Sequence, residues 1–304
     1  MYDCIVIGGG PAGLAATIYF ARQKLKLLVI TKEVGGQTLL SSDVENYLGF
    51  HLIDGLHLVE NFKAHLKDYE KDFELKEGER VTSVEKMKGG FSVVTDKGTY
   101  ETKTILVATG EKHRELGVPG EKEFYGRGVT YCATCDAPLF KDKEVIVVGG
   151  GNSAMESSLF LEKYAAKIVI LTINDALKGD GVLMKKVQAS EKISVLANAK
   201  TTKVLGDAFV TGMEYETKEG EKKVMKAQGV FIEIGLVPVS DFIDIVKKSK
   251  QGEIEVNIKN ETSVPGIWAA GDVTTVTEKQ IAVAVGEGSK ASLGIIKHLQ
   301  QRDE

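Results

Sequence analysis

Two cysteines three positions apart, followed at once by a carboxylate, are the most chemically suggestive residues of this 304-residue chain: Cys132-Ala133-Thr134-Cys135-Asp136. Cysteines at that spacing can close a small disulfide, and at the N-terminus of a helix the thiolate of one is favoured by the helix dipole. Asp136 beside them can carry the proton that moves when dithiol and disulfide interconvert. Half of a zinc knuckle is the other reading, but zinc needs two further ligands. There is no second Cys-x-x-Cys, and His51, His57, His65, His113 and His298 have no ligand spacing with each other or with a cysteine. No metal is therefore expected. Cys4 falls in an apolar run and reads as a buried apolar residue.

A redox pair needs a source of electrons, and two glycine-rich turns suggest where nucleotides bind. The apolar run Asp3–Ile7 stops at Gly8-Gly9-Gly10-Pro11-Ala12-Gly13, and an Ala-rich helical stretch, Leu14 to Gln23, follows. In such a strand-to-helix turn Gly8 permits the tight turn, Gly10 lets the backbone approach a pyrophosphate, and Gly13 lets the helix pack on the sheet. A strand from Leu25 to Ile30 comes next, and Glu33 falls about 20 residues beyond Gly13, near where a ribose-binding carboxylate is expected. The same grammar recurs: Glu144–Val148, then Gly149-Gly150-Gly151-Asn152-Ser153-Ala154, a helix from Met155 to Tyr164 and a strand from Lys167 to Leu171. Two such units imply two doubly wound sheets.

β-rich stretches with glycine turns follow each unit, at Arg80–Tyr100 and Thr201–Val224, and each ends in an apolar strand, Thr104–Gly110 and Gly229–Gly235. Corresponding parts in corresponding order indicate a duplication. A last segment, Gly266 to Asp272, falls outside both units and must complete one of them. An Ala/Val-rich helix after Gln280 closes the chain.

Composition narrows the function. Apolar residues make up 43% and charged residues 27%, with 39 basic against 43 acidic side chains and a formal charge of -4. That balance argues against a nucleic-acid or anionic-membrane binder. No apolar run approaches the ~18 residues of a spanning helix, and no basic leader precedes Asp3, so a soluble, cytoplasmic protein is expected. Its 33 glycines exceed average usage, and they cluster at turns.

Taken together, Gly8–Gly13, Gly35-Gly36-Gln37, Val44-Glu45-Asn46-Tyr47, Ala108-Thr109-Gly110, Cys132–Asp136, Gly149–Ala154 and Ala269-Ala270-Gly271-Asp272 resemble, in this order and over nearly the full length, the low-molecular-weight thioredoxin reductases. These are flavoproteins of the pyridine nucleotide-disulfide oxidoreductase family. The resemblance implies an α/β fold of two Rossmann-like doubly wound domains with three-layer ββα architecture, the second inserted in the first. Residues 1–113 and 240–304 would form a discontinuous FAD-binding domain. Residues 114–239 would form an NAD(P)-binding-like domain carrying the redox pair, with hinge strands at 112–119 and 235–240.

By the same resemblance Gly8, Gly10 and Gly13, with Pro11 and Ala12 between them, would cradle the FAD pyrophosphate, and Glu33 its ribose. Gly36, Gln37 and Asn46 would lie at the flavin end, with Ala108, Thr109 and Gly110 completing the site. Gly271 and Asp272 would hold the ribityl chain, and Gln280, Ile281 and Ala282 would begin the helix facing the flavin pyrimidine. Cys135 would lie next to the flavin, Cys132 would attack the disulfide of thioredoxin, and Asp136 would be the acid/base residue. A homodimer is the family's usual assembly.

Gly149, Gly151, Asn152, Ser153 and Ala154 would take NADPH or NADH, but the discriminating residues depart from the family pattern. A 2'-phosphate needs fixed positive charge, supplied in typical members by His-Arg-Arg just after the second strand. Here those positions are Thr172-Ile173-Asn174, with Asp175 three residues late for an NADH-type acid. The five arginines are Arg22, Arg80, Arg114, Arg127 and Arg302, leaving none from Gly128 to Gln301, and Lys178 offers only a point charge. The electron donor is therefore open between NADPH or NADH, a ferredoxin and a reduced deazaflavin. A reductase of a peroxiredoxin system, NADH-dependent, looks similar in its core. It usually carries an extra N-terminal thioredoxin-like domain, and since Met1 leads directly into the first strand, such a carrier would be a separate protein. A flavin-binding redox sensor without turnover is a further alternative, against which the intact Cys-x-x-Cys-Asp argues.

Overall fold

Alternation at period two decides the first sheet. In β1 (Tyr2–Ile7), Cys4 and Val6 pack into one apolar cluster and Ile5 and Ile7 into another, and all four are buried. A strand buried on both faces needs layers on both sides. The computed structural model describes residues 1–41, 44 and 46–303, with the side chains of Leu40, Thr134, Cys135, Arg302 and Asp303 outside that description.

The chain turns at Gly8–Gly10 into α1 (Pro11–Arg22), then forms β2 (Leu27–Thr31), α2 (Gly55–Lys67) and β3 (Glu74–Glu77). The helix starts three residues earlier than its apolar content suggests, because Pro11 at the first helical position needs no N–H partner. Pairing of β2 with β1 starts at Leu27 rather than Leu25, after a turn in which Lys24 takes φ +56°. β4 (Val81–Met87), β5 (Gly90–Thr95) and β6 (Thr99–Val107) follow. β6 changes layer along its length: Thr99–Thr102 pair antiparallel with β5, and Thr104–Val107 pair parallel with β1.

The second unit spans His113–Leu236, and the first comprises Met1–Lys112 with Val237–Glu304. The chain passes from one to the other through β7 (Glu111–His113), and back after the inserted elements. Those elements are β8 (Val129–Thr130), α3 (Ala133–Asp136), β9 (Glu144–Val148), α4 (Asn152–Leu161), β10 (Lys167–Leu171), α5 (Gly181–Ala189) and β11 (Ile193–Leu196), then β12 (Lys200–Gly206), β13 (Val210–Glu216), β14 (Lys222–Lys226) and β15 (Gly229–Ile232). The return strand β16 (Leu236–Pro238) pairs with β7 in a two-stranded sheet. β17 (Ile267–Ala269) and α6 (Ile281–Asp303) complete the chain.

Each unit has three layers. In the first, the parallel order is β3-β2-β1-β6, with β17 added beside β6. Helices α1 and α6 cover one face, and so tightly that a Cβ on Gly288 would stand 2.0 Å from the Ala12 carbonyl oxygen. Residues of β4 and β5 cover the other, packing Val84, Phe91 and Val93 on Ile5, Leu28 and Ile105. In the second unit the parallel order is β11-β10-β9-β15-β8, with a separate antiparallel sheet β12-β13-β14. Val145 and Val147 share a cluster with α4 residues, whereas Ile146 and Val148 pack with Val204, Val210 and Met213 of the antiparallel sheet.

The segment Gly266–Asp272, which the strand and turn pattern leaves open and only the family resemblance puts with residues 1–113, pairs beside β6 of the first unit as β17. In the second unit the corresponding edge is β8, which precedes the unit's other strands in the chain. The duplication is thus circularly offset at one strand.

Candidate functional site

In both units the strand order reverses at one point, and the crevice beyond the carboxyl ends of the strands there is the place where doubly wound sheets bind ligands. In the first unit it lies between β1 and β6. Gly8 takes φ +117°, and a Cβ there would stand 2.2 Å from the Ala108 carbonyl oxygen at the end of β6. A Cβ on Gly13 would stand 2.0 Å from the Gly8 carbonyl oxygen. Only hydrogen fits at either position. Gly10, by contrast, faces open space, and as the N-cap of α1 it brings no side-chain cap. A helix N-terminus left uncapped and reachable by an anion is what a pyrophosphate requires, so these residues fit FAD.

Around this turn the remaining residues expected at FAD fall as follows. Gly36 packs on Gly10, its would-be Cβ 3.2 Å from the Gly10 Cα. Gln37 donates its side-chain N–H to the Glu111 carbonyl at 2.9 Å, and Asn46 donates to the Gln280 side-chain oxygen at 2.9 Å. Thr109 donates its hydroxyl to the Val239 carbonyl at 2.5 Å, and the Gly110 carbonyl accepts from the Val239 amide. Ile281 and Ala282 are the first residues of α6, whose first turn lies past Gln280. Glu33 is exposed in the loop after β2. Glu45 lies outside the described residues.

Asp272 follows β17 in a charged cluster. Burial pushes its carboxyl up, Lys279 pulls it down and Glu287 pushes it up again. Lys279 donates to the carbonyls of Asp272 and Thr274 and pairs with Glu253 at 3.3 Å. Glu111 belongs to the same neighbourhood: burial raises it, Lys279 opposes, and Asp272 and Glu253 raise it further. The Gly271 amide donates to the buried Glu287 carboxylate at 2.8 Å. This fixes the backbone that presents Asp272.

The second crevice repeats the first. Gly149 takes φ +152°, and its would-be Cβ lies 2.1 Å from the Glu233 carbonyl oxygen at the end of β15. Gly151 faces open space as the N-cap of α4, again without a side-chain cap, and Ala154 is buried under the turn. Asn152 accepts from the Asp180 amide at 2.8 Å, and Ser153 is exposed. The two loops after the second strands also correspond. The Thr31 hydroxyl accepts from the Gly9 amide and from the Glu33 amide, and the Thr172 hydroxyl lies 2.3 Å from a would-be Cβ on Gly150 and accepts from the Asn174 amide. Asn174 therefore stands where Glu33 stands in the first unit, and Thr172 is a buried tie, not a ligand residue.

The redox motif lies in the second unit, directly after β8. Cys132 is in a disulfide. Its amide donates to the Thr130 hydroxyl at 3.1 Å, and its carbonyl accepts from the Asp136 amide at 3.3 Å. The side chain of Cys135 lies outside the described residues. The helix expected behind the motif is a single turn of four residues, α3, so its dipole is small. Tyr131, just before Cys132, stacks on His113 at 5.5 Å and donates to the buried Glu121 carboxylate at 2.7 Å. Cys4 is buried and free, and burial pushes its thiol up to about 12.

Thr31, Glu287 and Glu233 were not visible as site residues in the sequence, and Thr172 was visible only as a position of the nucleotide-discriminating loop. Alignment of the two internal repeats would have found the threonine pair, since each stands at the end of its unit's second strand and precedes an equivalent loop. The carboxylates carry no local signal.

Residues 2–288 match the family described as pyridine nucleotide-disulphide oxidoreductase. The chain is 41% identical to a subunit of the alkyl hydroperoxide reductase of Pseudomonas putida over 98% of this chain and 58% of that protein, so it spans little more than half the length of that curated relative. Among solved structures, the thioredoxin reductase of Lactococcus lactis is similar with a TM-score of 0.85 and 33% identity, covering 99% of this chain and 100% of that one. The T. acidophilum thioredoxin reductase is similar with a TM-score of 0.82 and 37% identity, covering 100% and 99%. No helix among the described residues is long and apolar enough to cross a membrane.

Proposed function

The chain belongs to the pyridine nucleotide-disulphide oxidoreductase family, and we propose that it is an FAD-dependent reductase that delivers electrons through a Cys132–Cys135 disulfide to the disulfide of thioredoxin or a thioredoxin-like protein. The observation that carries this reading is the pairing of two nucleotide crevices of the same construction with a disulfide-bonded Cys132 at the strand ends of one of them.

In this reading the first unit holds FAD and the second a pyridine dinucleotide. When bound, FAD supplies a two-electron carrier able to take a hydride and to reduce a disulfide. The chain's own residues do the rest. Gly8, Gly10 and Gly13 admit the pyrophosphate at the α1 N-terminus, and Asp272, held by the Gly271–Glu287 bond, meets a ribityl hydroxyl. Once the pair is reduced, the Cys132 thiolate attacks one sulfur of the partner disulfide and expels the other as a thiolate. Cys135 then attacks the Cys132 sulfur, restoring the intrachain disulfide and releasing the second partner thiol. Asp136 takes and returns the proton. Two electrons leave the pair and two partner thiols result.

For the donor, Asn174 in the place of Glu33 is neutral and can serve a ribose hydroxyl without repelling a phosphate, which supports a pyridine dinucleotide of either kind. A ferredoxin or a deazaflavin remains the outcome to be tested against it. Addition of NADPH, then NADH, to the anaerobic FAD-loaded protein is expected to bleach the flavin's visible absorbance. Persistence of the oxidised spectrum with both would overturn the dinucleotide donor.

A second reading, a reductase for a peroxiredoxin system, is favoured by one observation: the 41% identity to the P. putida protein exceeds that to either thioredoxin reductase named above. The two readings differ only in which protein accepts electrons from Cys132.

A further inference from the structure

Resting on the reading that the second unit takes a pyridine dinucleotide, we propose that Glu233 sets the affinity of that crevice, admitting the dinucleotide while its carboxyl is neutral and opposing it once ionised. Glu233 is the first residue after β15. Its amide donates to the Val148 carbonyl at 2.8 Å, and its own carbonyl is the atom that only a glycine at 149 can approach. It therefore sits at the point where the strand order reverses, beside the glycine turn. The corresponding residue of the first unit, by its carbonyl's approach to Gly8, is Ala108. The two crevices are built alike, and of these two positions only the second has a carboxyl.

The carboxyl is held by a hydrogen bond donated by the Ser157 hydroxyl of α4 at 2.6 Å. α4 is the helix whose uncapped N-terminus, at Gly151, is the anion end of the crevice. Any dinucleotide pyrophosphate seated there brings negative charge toward the same helix. Burial pushes the Glu233 carboxyl up to about 7, with the Ser157 bond opposing and the charge of Glu156 adding. No cation is among the charges that move it; Arg114, whose amide donates to the Gly235 carbonyl, and Lys185 and Lys186 of α5, which packs on α4, are the basic side chains of the neighbouring segments, and α3 on the same helix carries Asp136. Lys178 reaches the turn by its backbone, its amide donating to the Gly150 carbonyl. A second anion beside an ionised Glu233 is thus unfavourable, and binding above neutral pH must take up a proton.

The test uses the FAD-loaded full-length protein and calorimetric titration with NAD+ and with NADP+, which bind without reducing the flavin, from about pH 6 to about pH 8.5. The wild-type Kd is expected to rise toward about tenfold per pH unit above neutrality, with about one proton taken up per dinucleotide at the alkaline end. Glu233→Gln, which keeps an acceptor for Ser157, is expected to bind with a flat profile and about thirtyfold tighter at the alkaline end. Ser157→Ala, which removes the bond that opposes burial, is expected to move the wild-type rise to higher pH. Parallel profiles for wild type and Glu233→Gln, or an unmoved profile for Ser157→Ala, would overturn the inference while leaving the dinucleotide reading intact. Absence of binding at every pH by all three proteins would overturn both.

Discussion

The Thr31 hydroxyl accepts a hydrogen bond from the Gly9 amide at 2.9 Å, in the space that a side chain on Gly9 would occupy. One buried oxygen thereby ties the first glycine turn to the end of β2. Thr31→Val keeps the shape and removes the acceptor, leaving the Gly9 N–H unpaired at a cost of about 1–3 kcal/mol. The variant is expected to unfold at lower temperature and to retain less FAD on purification. Thr172→Val, the same change in the second unit, is expected to lower thermal stability while leaving flavin content at the wild-type level. Flavin content and thermal melts of the two variants check this.

Cys4 is buried and its thiol is pushed up to about 12, so it carries almost no thiolate at ordinary pH. Counting thiols with an aromatic disulfide reagent is expected to find none reactive in the native oxidised protein and two after reduction. Labelling of Cys4 in the folded protein would contradict the packing of β1 against α1 and α6.

Asn174 occupies the place that Glu33 holds in the first unit. Asn174→Arg puts a guanidinium where the proposed dinucleotide would present its ribose, and a charge-assisted bond there is worth about 1.5–3 kcal/mol. The KM for NADPH is expected to fall about tenfold or more, with the KM for NADH little changed. Equal effects on both would show that this loop does not meet the ribose.

Glu233 also links stability to pH. Its carboxyl titrates at about 7 in the folded chain against 4.5 ordinarily, so the folded state favours the neutral acid. The stability this contributes is fully present below pH 4.5 and is lost as pH rises to about 7. Glu233→Gln is therefore expected to melt above the wild type by a margin that widens over that window and is constant beyond it. The full shift corresponds to about 3 kcal/mol as an upper bound. Thermal midpoints of both proteins against pH provide the measurement.

Much of this was legible in the sequence because glycine positions are dictated by close backbone approach. Gly8, Gly13 and Gly149 each stand within 2.2 Å, by a would-be Cβ, of a carbonyl oxygen, and no other residue type fits there. The continuous burial of β1 was equally readable, from its apolar run. What was not readable depends on contacts far apart in the chain. The strand pattern alone does not say which unit Gly266–Asp272 completes, which is set by pairing between Ile267 and Ile105. Thr172 falls by sequence at a ligand-contacting position, because residues after a second strand often meet the ribose, whereas its hydroxyl turns inward to the glycine turn. Glu233 looks like an ordinary strand residue, because nothing near it in sequence shows that its carbonyl meets Gly149.

Everything downstream of the flavin depends on Cys132 being the sulfur that meets the protein substrate. The FAD-loaded Cys135→Ser variant should be incubated with a thioredoxin and with a glutaredoxin-like protein that each lack the resolving cysteine and carry the remaining one as a mixed disulfide with an aromatic thiol, which leaves when Cys132 attacks, and the products mapped by peptide mass spectrometry. A stable mixed disulfide at Cys132, absent from Cys132→Ser, is the predicted result. An equal adduct formed by Cys132→Ser, or none from Cys135→Ser with either protein, would contradict it.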